Sequence, residues 1–191
     1  MFTARVGRLA AVVFCVAVLA TPARALNLVN NGGFESGLTG WTPSNFILQG
    51  FDYGIDGIAH SGANAFFGGA VGDLGFLSQS ITTVPGTSYV LTFWTQSSGF
   101  FENEFQASIN GSVRLDETDV PIGGYMRQTL VFEATGASTS LQFGFRDDGF
   151  AFHLDDVSVS IPEPASLALL ALGLAGVGFV RRRQTRSTSE N

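Results

Sequence analysis

Residues 89–95, Tyr89-Val90-Leu91-Thr92-Phe93-Trp94-Thr95, decide the fold class, because apolar side chains alternate with mixed ones along the segment. A period of two residues predicts a β-strand with one buried face. The same alternation occurs over residues 141–146, where Leu141, Phe143 and Phe145 are the apolar members, and over residues 105–110. These segments therefore predict β-strands rather than helices.

Turn-forming residues separate the predicted strands. They are Pro85-Gly86, Asn110-Gly111, Gly123-Gly124 and Asp147-Asp148-Gly149. Asn110-Gly111 predicts a two-residue type I′ hairpin, because both residues tolerate a positive φ. No segment outside the two chain ends sustains a helical apolar stripe. Short strands with frequent turns predict an all-β, antiparallel jelly-roll sandwich over residues 26–160.

Composition limits the kinds of partner. The chain has 191 residues, of which 45% are hydrophobic and 14% are charged, and its net charge is −6. All ten basic residues are arginine, and residues 26–160 hold three of them against fourteen acids. Nucleic acid is excluded as an expected partner, because phosphate contacts need a basic surface.

The first 25 residues have the three parts of a secretory signal peptide. Arg5 and Arg8 precede an apolar run over residues 9–20, and Ala23 and Ala25 form a small-x-small site for signal peptidase. A buried N-terminal helix is the alternative. Cys15, the only cysteine, lies inside the apolar run, so the mature protein should contain neither a disulfide nor a cysteine metal ligand.

The C-terminal segment has a related organisation. Pro162-Glu163-Pro164 precedes an apolar run over residues 165–180, which is followed by Arg181, Arg182 and Arg183 and a polar tail over residues 184–191. A helix over the run is short for a membrane but can span it by local thinning of the bilayer. A buried core helix is the alternative.

Residues 161–183 resemble the PEP-CTERM sorting signal. The resemblance implies a Gram-negative exporter and an exosortase that recognises Pro162, Glu163 and Pro164. It also implies an inner-membrane anchor at the C-terminal span, followed by sorting to the cell surface or the exterior. The family is associated with extracellular polysaccharide and biofilm.

Three segments resemble the galactose-binding-like jelly roll of carbohydrate-binding modules. They are residues 30–41 (Asn30-Asn31-Gly32-Gly33-Phe34-Glu35 with Gly40-Trp41), residues 80–94 and residues 154–159. The resemblance implies two packed sheets and a structural calcium held by Glu35 and Asp156, with carbonyls from the loop Ser61-Gly62-Ala63-Asn64. It also suggests that Trp41 and Trp94 belong to the core.

The residues around this predicted metal site suggest a further ligand. Leu154 and Val157 are out of phase for one strand face, which predicts a bulge that re-aims Asp155 or Asp156. Oxygen ligands of this kind, with Ser61 beside them, suit a hard cation. In the alternative interpretation Glu35 caps a turn and the aspartates are solvated. The acidic runs Asp116-Glu117 with Asp119, and Asp147-Asp148, are expected to be solvated turns, and metal binding is the alternative.

Sugar binding needs aromatic faces for pyranose C–H surfaces and polar groups for hydroxyls. The segment Phe100, Phe101, Glu102 and Asn103 combines both in a glycine-containing loop, and further rings in turn-like contexts are Tyr53, Tyr125 and Phe150. Core packing is the alternative role for each ring.

Catalysis has little support in the sequence. His60 and His153 show no zinc-ligand spacing, and there is no Gly-x-Ser-x-Gly motif. We therefore expect a non-catalytic exported protein that associates with extracellular polysaccharide. The alternatives are a structural or adhesive matrix protein with protein partners and, third, a stand-alone glycan hydrolase.

Overall fold

A computed structural model describes residues 26–47, 52–99 and 102–162. The described residues form ten β-strands and no helix. The strands are β1 (Thr42–Ser44), β2 (Tyr53–Asp56), β3 (Ala65–Gly68), β4 (Gly75–Thr82), β5 (Ser88–Ser97), β6 (Asn103–Ile109), β7 (Ser112–Thr118), β8 (Met126–Glu133), β9 (Ser138–Asp147) and β10 (Phe152–Ser160). The predicted signal peptide and the predicted C-terminal span lie outside the described residues.

The strands form two five-stranded sheets. The first sheet has the order β1-β4-β9-β6-β7, and the second has the order β2-β3-β10-β5-β8. Every strand pair is antiparallel. β10, the last strand in the chain, lies at the centre of the second sheet between β3 and β5. The prediction of an all-β antiparallel sandwich is confirmed.

The core lies between the sheets and is rich in aromatic rings. Phe93 of β5 and Phe143 of β9 meet edge to face across the interface, with ring centroids 5.0 Å apart. Phe105 contacts both of them, and all three side chains are fully buried. Burying one such ring stabilises the fold by about 1.5–3 kcal/mol. The core cluster lies within residues 28–159, so the fragment 26–162 contains both sheets and the whole core between them.

Two local predictions are confirmed. Asn110 and Gly111 have φ values of 50° and 75°, as a type I′ hairpin between β6 and β7 requires. The pairing of β10 with β5 shifts register between Asp155 and Ser158, which is the predicted bulge. Asp156 has a φ of 49° in that bulge, and this left-handed conformation turns its side chain away from regular alternation.

One tryptophan was assigned incorrectly. Trp41 is buried, as expected, but Trp94 is half-buried and points outward from β5. Its neighbours Phe93 and Thr95 both point inward, so strand alternation requires Trp94 to face the outside of the second sheet.

Within the described residues, the structure contains no helix long and apolar enough to cross a membrane.

Candidate functional site

The outer face of the second sheet is covered by the loop between β2 and β3, residues 57–64. Asp155, fully buried in β10, holds the middle of this loop. Its Oδ2 accepts the backbone N–H groups of His60 and Ser61 at 2.8 and 3.0 Å, and its Oδ1 accepts the N–H of Asp156 at 2.7 Å. One carboxylate therefore satisfies three backbone donors that the bulge and the loop leave without sheet partners.

Two further carboxylates hold the rest of the loop. Asp156 contacts His60 Nδ1 at 2.7 Å through Oδ2 and accepts the Ser61 hydroxyl at 2.8 Å through Oδ1. Glu35 Oε1 accepts the N–H groups of Ala63 and Asn64 at 2.7 and 3.1 Å. The loop is thus fastened to both ends of the described chain.

Glycine at position 62 is required by this arrangement. Gly62 has a φ of 70°, and a Cβ built on it would overlap the carboxylate of Glu35. Any side chain here would be strained by the backbone conformation and would also displace Glu35 from the loop.

The carboxylates have opposite electrostatic environments. Burial raises the pKa of Asp155, because the charged form loses hydration that its three N–H donors only partly replace. The backbone N–H groups of Ala63 and Asn64 lower the pKa of the exposed Glu35. Tyr125 beside the loop has a raised pKa because it is desolvated and lies near Asp155, Asp56 and Asp156.

His60 closes the loop over Trp94. The two rings stack with centroids 3.8 Å apart and an interplanar angle of 16°. Tyr125 meets the edge of His60 at 5.5 Å and donates its hydroxyl to the Ile58 carbonyl at 2.6 Å. These contacts cover one face of Trp94, so that face is not open for a ligand.

The structure brings together the four residues predicted to bind a metal, Glu35, Asp155, Asp156 and Ser61. The loop presents N–H groups to Glu35 and Asp155, whereas the resemblance to carbohydrate-binding modules implied that it would offer carbonyls. Carboxylate and hydroxyl oxygens are the types of ligand that calcium prefers. Among the described residues, no group of three or more His, Cys, Asp or Glu side chains is arranged to hold a metal ion. A calcium ion therefore stays a prediction.

The outer face of the first sheet has a different character. One row across it contains Phe76 of β4, Gly144 of β9, Gln106 of β6 and Asp116 of β7, each paired with its neighbour. A Cβ on Gly144 would meet Phe76 Cε1 at 3.2 Å and Leu74 Cδ2 at 3.3 Å. The absence of that Cβ lets the half-buried Phe76 ring reach over the sheet toward Gln106.

Polar side chains flank this row. Gln106 Nε2 donates to Glu104 Oε1 at 2.7 Å, and Arg146 pairs with Asp148 at 2.8 Å. Gln142 of β9 lies on the same face, in the pair next to Gly144 and Gln106. None of the hydrogen bonds among the described residues ties a loop across Gly144 or Gln106. We call this surface, formed by Phe76, Glu104, Gln106, Gln142 and Gly144, the polar platform.

The polar platform was not predicted from the sequence. Its members come from three strands that are far apart in the chain, and only the pairing of β4 with β9 and β9 with β6 unites them. A usable signal existed in β9, where Gln142, Gly144 and Arg146 alternate with the buried phenylalanines. The sequence did not indicate that β9 pairs with β4 and β6, and only this pairing brings the platform residues together.

The predicted sugar-binding residues that the structure describes do not form one site. Tyr53 packs against Phe46 at 4.7 Å on the core side of β2. The Asn103 amide is buried and bonds the Val120 backbone at 2.9 and 2.7 Å. Glu102 is exposed, Tyr125 lies beside the loop over Trp94, and Phe100 and Phe101 fall outside the described residues.

Three residues of the acidic runs and the second histidine lie within strands: Asp116, Glu117, Asp147 and His153. Asp116 and Glu117 lie within β7 rather than in a turn, and Asp147 is buried at the end of β9. Burial raises the pKa of Asp147, whereas Arg146 lowers that of Asp148. His153 is buried in β10 and contacts Asp56 Oδ2 at 3.0 Å.

Comparison with known families identifies the C-terminal segment. Residues 160–183 match the PEP-CTERM protein-sorting motif, which confirms the resemblance stated above. This motif implies export and membrane-associated sorting. A search of curated protein sequences finds no match for the chain.

Solved structures resemble the sandwich. A family 16 carbohydrate-binding module matches with a TM-score of 0.54 and 19% identity, covering 70% of this chain and 99% of the module. TmCBM61, solved with β-1,4-galactotriose, matches with a TM-score of 0.53 and 17% identity, covering 72% of this chain and 99% of its own. At these identities the similarity establishes the fold, a carbohydrate-binding-module-like β-sandwich.

An enzyme domain shares the same fold. The enzymatically active domain of tailspike protein 4 of bacteriophage CBA120 matches with a TM-score of 0.56 and 18% identity. The match covers 71% of this chain but 21% of the tailspike chain, so this chain spans about a fifth of that protein. The fold is therefore compatible with both binding modules and parts of enzymes.

Proposed function

We propose that this chain is an exported, non-catalytic carbohydrate-binding protein that associates with extracellular polysaccharide through the polar platform. Signal peptidase removes residues 1–25, and an exosortase recognises Pro162, Glu163 and Pro164 during sorting. The PEP-CTERM motif supports the export step, and the carbohydrate-binding-module-like fold supports the ligand class.

The observation that carries this proposal is the combination of one aromatic ring with amide and carboxylate side chains on the outer face of the first sheet. Phe76 offers an apolar ring for the C–H surface of a sugar, because Gly144 lets it reach over the sheet. Gln106, Gln142 and Glu104 offer amide and carboxylate groups at sheet spacing, which can exchange hydrogen bonds with ring hydroxyls. The outer face of the second sheet offers no comparable surface, since its loop already occupies Asp155, Asp156 and Trp94.

The experiment is a retention assay for residues 26–162 on polysaccharide from the producing organism. We compare the wild type with a double variant, Gln106→Ala with Gln142→Ala. The matched control is Thr92→Ala with Thr129→Ala, which removes two polar side chains facing each other on the outside of the second sheet. We expect the platform variant to lose retention by about tenfold and the control to bind like the wild type.

Two results would contradict the proposal. Absence of retention for the wild type refutes polysaccharide binding, and equal retention of all three proteins places binding elsewhere. A reducing-sugar assay on the same polysaccharide tests the non-catalytic part. Release of new reducing ends by the wild type would show that the chain is a hydrolase.

We also propose that calcium binds between Glu35 and Asp156 and stiffens the loop over residues 57–64. Asp156 lies close enough to Glu35 and to Asp155 to repel each of them, and a cation would relieve this repulsion. Ser61 and loop carbonyls would complete the coordination. We expect calcium to raise the melting temperature of residues 26–162 and chelator to reverse this, and Glu35→Gln to abolish the difference. An identical melting temperature in calcium and in chelator would refute the site.

A further inference from the structure

The four edge strands of the sandwich differ in their protection against pairing with another chain. β1 has three residues and includes Pro43, which lacks an N–H, and β2 has four residues. β7 carries Arg114, Asp116 and Glu117 in its seven residues, and charges on an edge oppose strand addition. β8 has eight residues and no charge from Gln128 to Phe132.

β8 is therefore the unprotected edge. It pairs with β5 on one side and with no described strand on the other. Val131 at its centre is 67% exposed and Met126 at its start is 56% exposed. A long uncharged edge with exposed apolar residues presents unpaired backbone donors and acceptors to any strand that can match it.

The charges at the ends of β8 identify the matching strand. Arg127 and Glu133 both lie on the outer face, because they pair with Trp94 and Ser88 of β5. Among the described residues, the ion pairs involve His60, Arg146 and His153, so neither Arg127 nor Glu133 takes part in one. Opposite charges six residues apart on a strand complement each other when two copies run antiparallel.

We propose that β8 pairs with β8 of a second copy of this chain and joins two second sheets into one continuous ten-stranded sheet. The register places Leu130 opposite Leu130 on the two-fold axis. Thr129 then faces Val131 of the other copy, and Arg127 faces Glu133 of the other copy on both sides of the axis. Facing residues in such a pair have Cβ atoms about 5 Å apart, close enough for each charge pair to contribute.

In this register, outward-pointing residues of one copy face outward-pointing residues of the other copy. In an antiparallel pair, facing residues project to the same side of the sheet. Thr129, Val131, Arg127 and Glu133 all project outward, whereas Leu130 projects toward the core beside Leu91. The paired edges would therefore extend the apolar inner layer through Leu130 and shield Val131 from water on the outside.

Sedimentation velocity of residues 26–162 over a concentration series tests the proposal. We expect a concentration-dependent monomer–dimer equilibrium for the wild type. Val131→Lys places a charge at the centre of the edge and should leave a monomer at every concentration. Val113→Lys is the matched control, because Val113 is 50% exposed on β7, the charged edge of the first sheet, and should dimerise normally. Circular dichroism confirms that both variants are folded.

Charge reversal tests the register. Arg127→Glu and Glu133→Arg each place like charges opposite one another at two positions and should weaken dimerisation by about tenfold. The double variant with both reversals restores opposite charges and should recover the wild-type dimerisation constant. A monomeric wild type, a dimer that tolerates Val131→Lys, or a double variant as weak as the single ones would each overturn the proposal.

Discussion

The outer faces of the two sheets are built from similar strands but handle their polar groups in opposite ways. On the second sheet, Asp155 and Asp156 turn outward at a bulge and are occupied by a loop of the same chain. On the first sheet, the polar platform follows regular pairing, and no loop among the described residues is bonded across it. The two faces therefore differ in how their polar side chains are satisfied.

Because of this difference, substitutions on the two faces should affect different properties of the protein, stability in one case and ligand binding in the other. Carboxylates that accept backbone N–H groups from a covering loop contribute to folding, and their removal leaves buried donors unsatisfied. Amides and carboxylates on an open sheet face contribute little to folding and are available to a ligand. Substitutions on the second face should therefore affect stability first, and those on the first face should affect binding first.

Asp155→Ala should produce the largest effect. It removes the acceptor of three N–H groups in a buried position, and we expect the free energy of unfolding to fall by about 3 kcal/mol or more. Urea denaturation of residues 26–162 measures the loss. Asp116→Ala on the exposed outer row of β7 should change stability by no more than about 0.5 kcal/mol. Equal losses would remove the distinction between the faces.

Phe76→Ala tests the binding side of the comparison. Loss of the ring should reduce polysaccharide retention by about tenfold, because stacking of this kind contributes about 1 kcal/mol beyond the area it buries. The control is Phe67→Ala, which removes a half-buried ring from the outer face of β3. If Phe67→Ala reduces retention as much as Phe76→Ala does, the ligand does not distinguish the two faces.

His60→Ala should loosen the cover on Trp94 without unfolding the protein. We expect a loss of about 1 kcal/mol from the stacked pair and faster quenching of tryptophan fluorescence by iodide, because Trp41 is buried and Trp94 becomes exposed. Tyr125→Phe keeps the ring near His60 but loses the hydrogen bond to Ile58, so its quenching should stay close to wild type. Unchanged quenching in His60→Ala would show that the loop covers Trp94 without the imidazole.

The smallest effect concerns pH. The pKa of Glu35 is lowered in the folded protein from its ordinary value of 4.5, so its contribution is present above that pH and is lost as pH falls through the folded value. We expect the stability advantage of the wild type over Glu35→Gln to shrink below about pH 4.5 in urea titrations. Asp155 has a raised pKa and acts in the opposite direction, so the comparison with Glu35→Gln is needed to isolate Glu35. A difference that stays constant with pH would show that Glu35 does not hold the loop through its charge.

Local patterns predicted much of this fold. Alternation over residues 89–95 identified β5, and Asn110-Gly111 identified the hairpin, because both signals arise from the conformational preferences of adjacent residues. The phase break between Leu154 and Val157 located the bulge for the same reason. The carboxylate cluster was found through motif resemblance rather than from spacing, since Glu35 and Asp156 are distant in sequence.

The errors share a physical origin in long-range pairing. Trp94 was assigned to the core because of the motif around it, although its position between Phe93 and Thr95 already placed it outside. The polar platform was missed because Phe76, Gly144 and Gln106 become neighbours only when β4, β9 and β6 pair. Asn103 was assigned to a loop tip, but the first residue of β6 is buried there by the segment that follows β7.

The central position of β10 has a consequence for the order of events during export. β3 and β5 flank a gap that only the last strand of the described chain can fill, and Leu28 near the other end bonds Val159 in that strand. The second sheet is therefore incomplete until residues 152–160 are available on the far side of the membrane. Proteins whose contacts join distant parts of the chain fold slowly. Any product truncated before β10 should remain an open, protease-sensitive intermediate, so the second sheet is completed only after residues 152–160 have been exported.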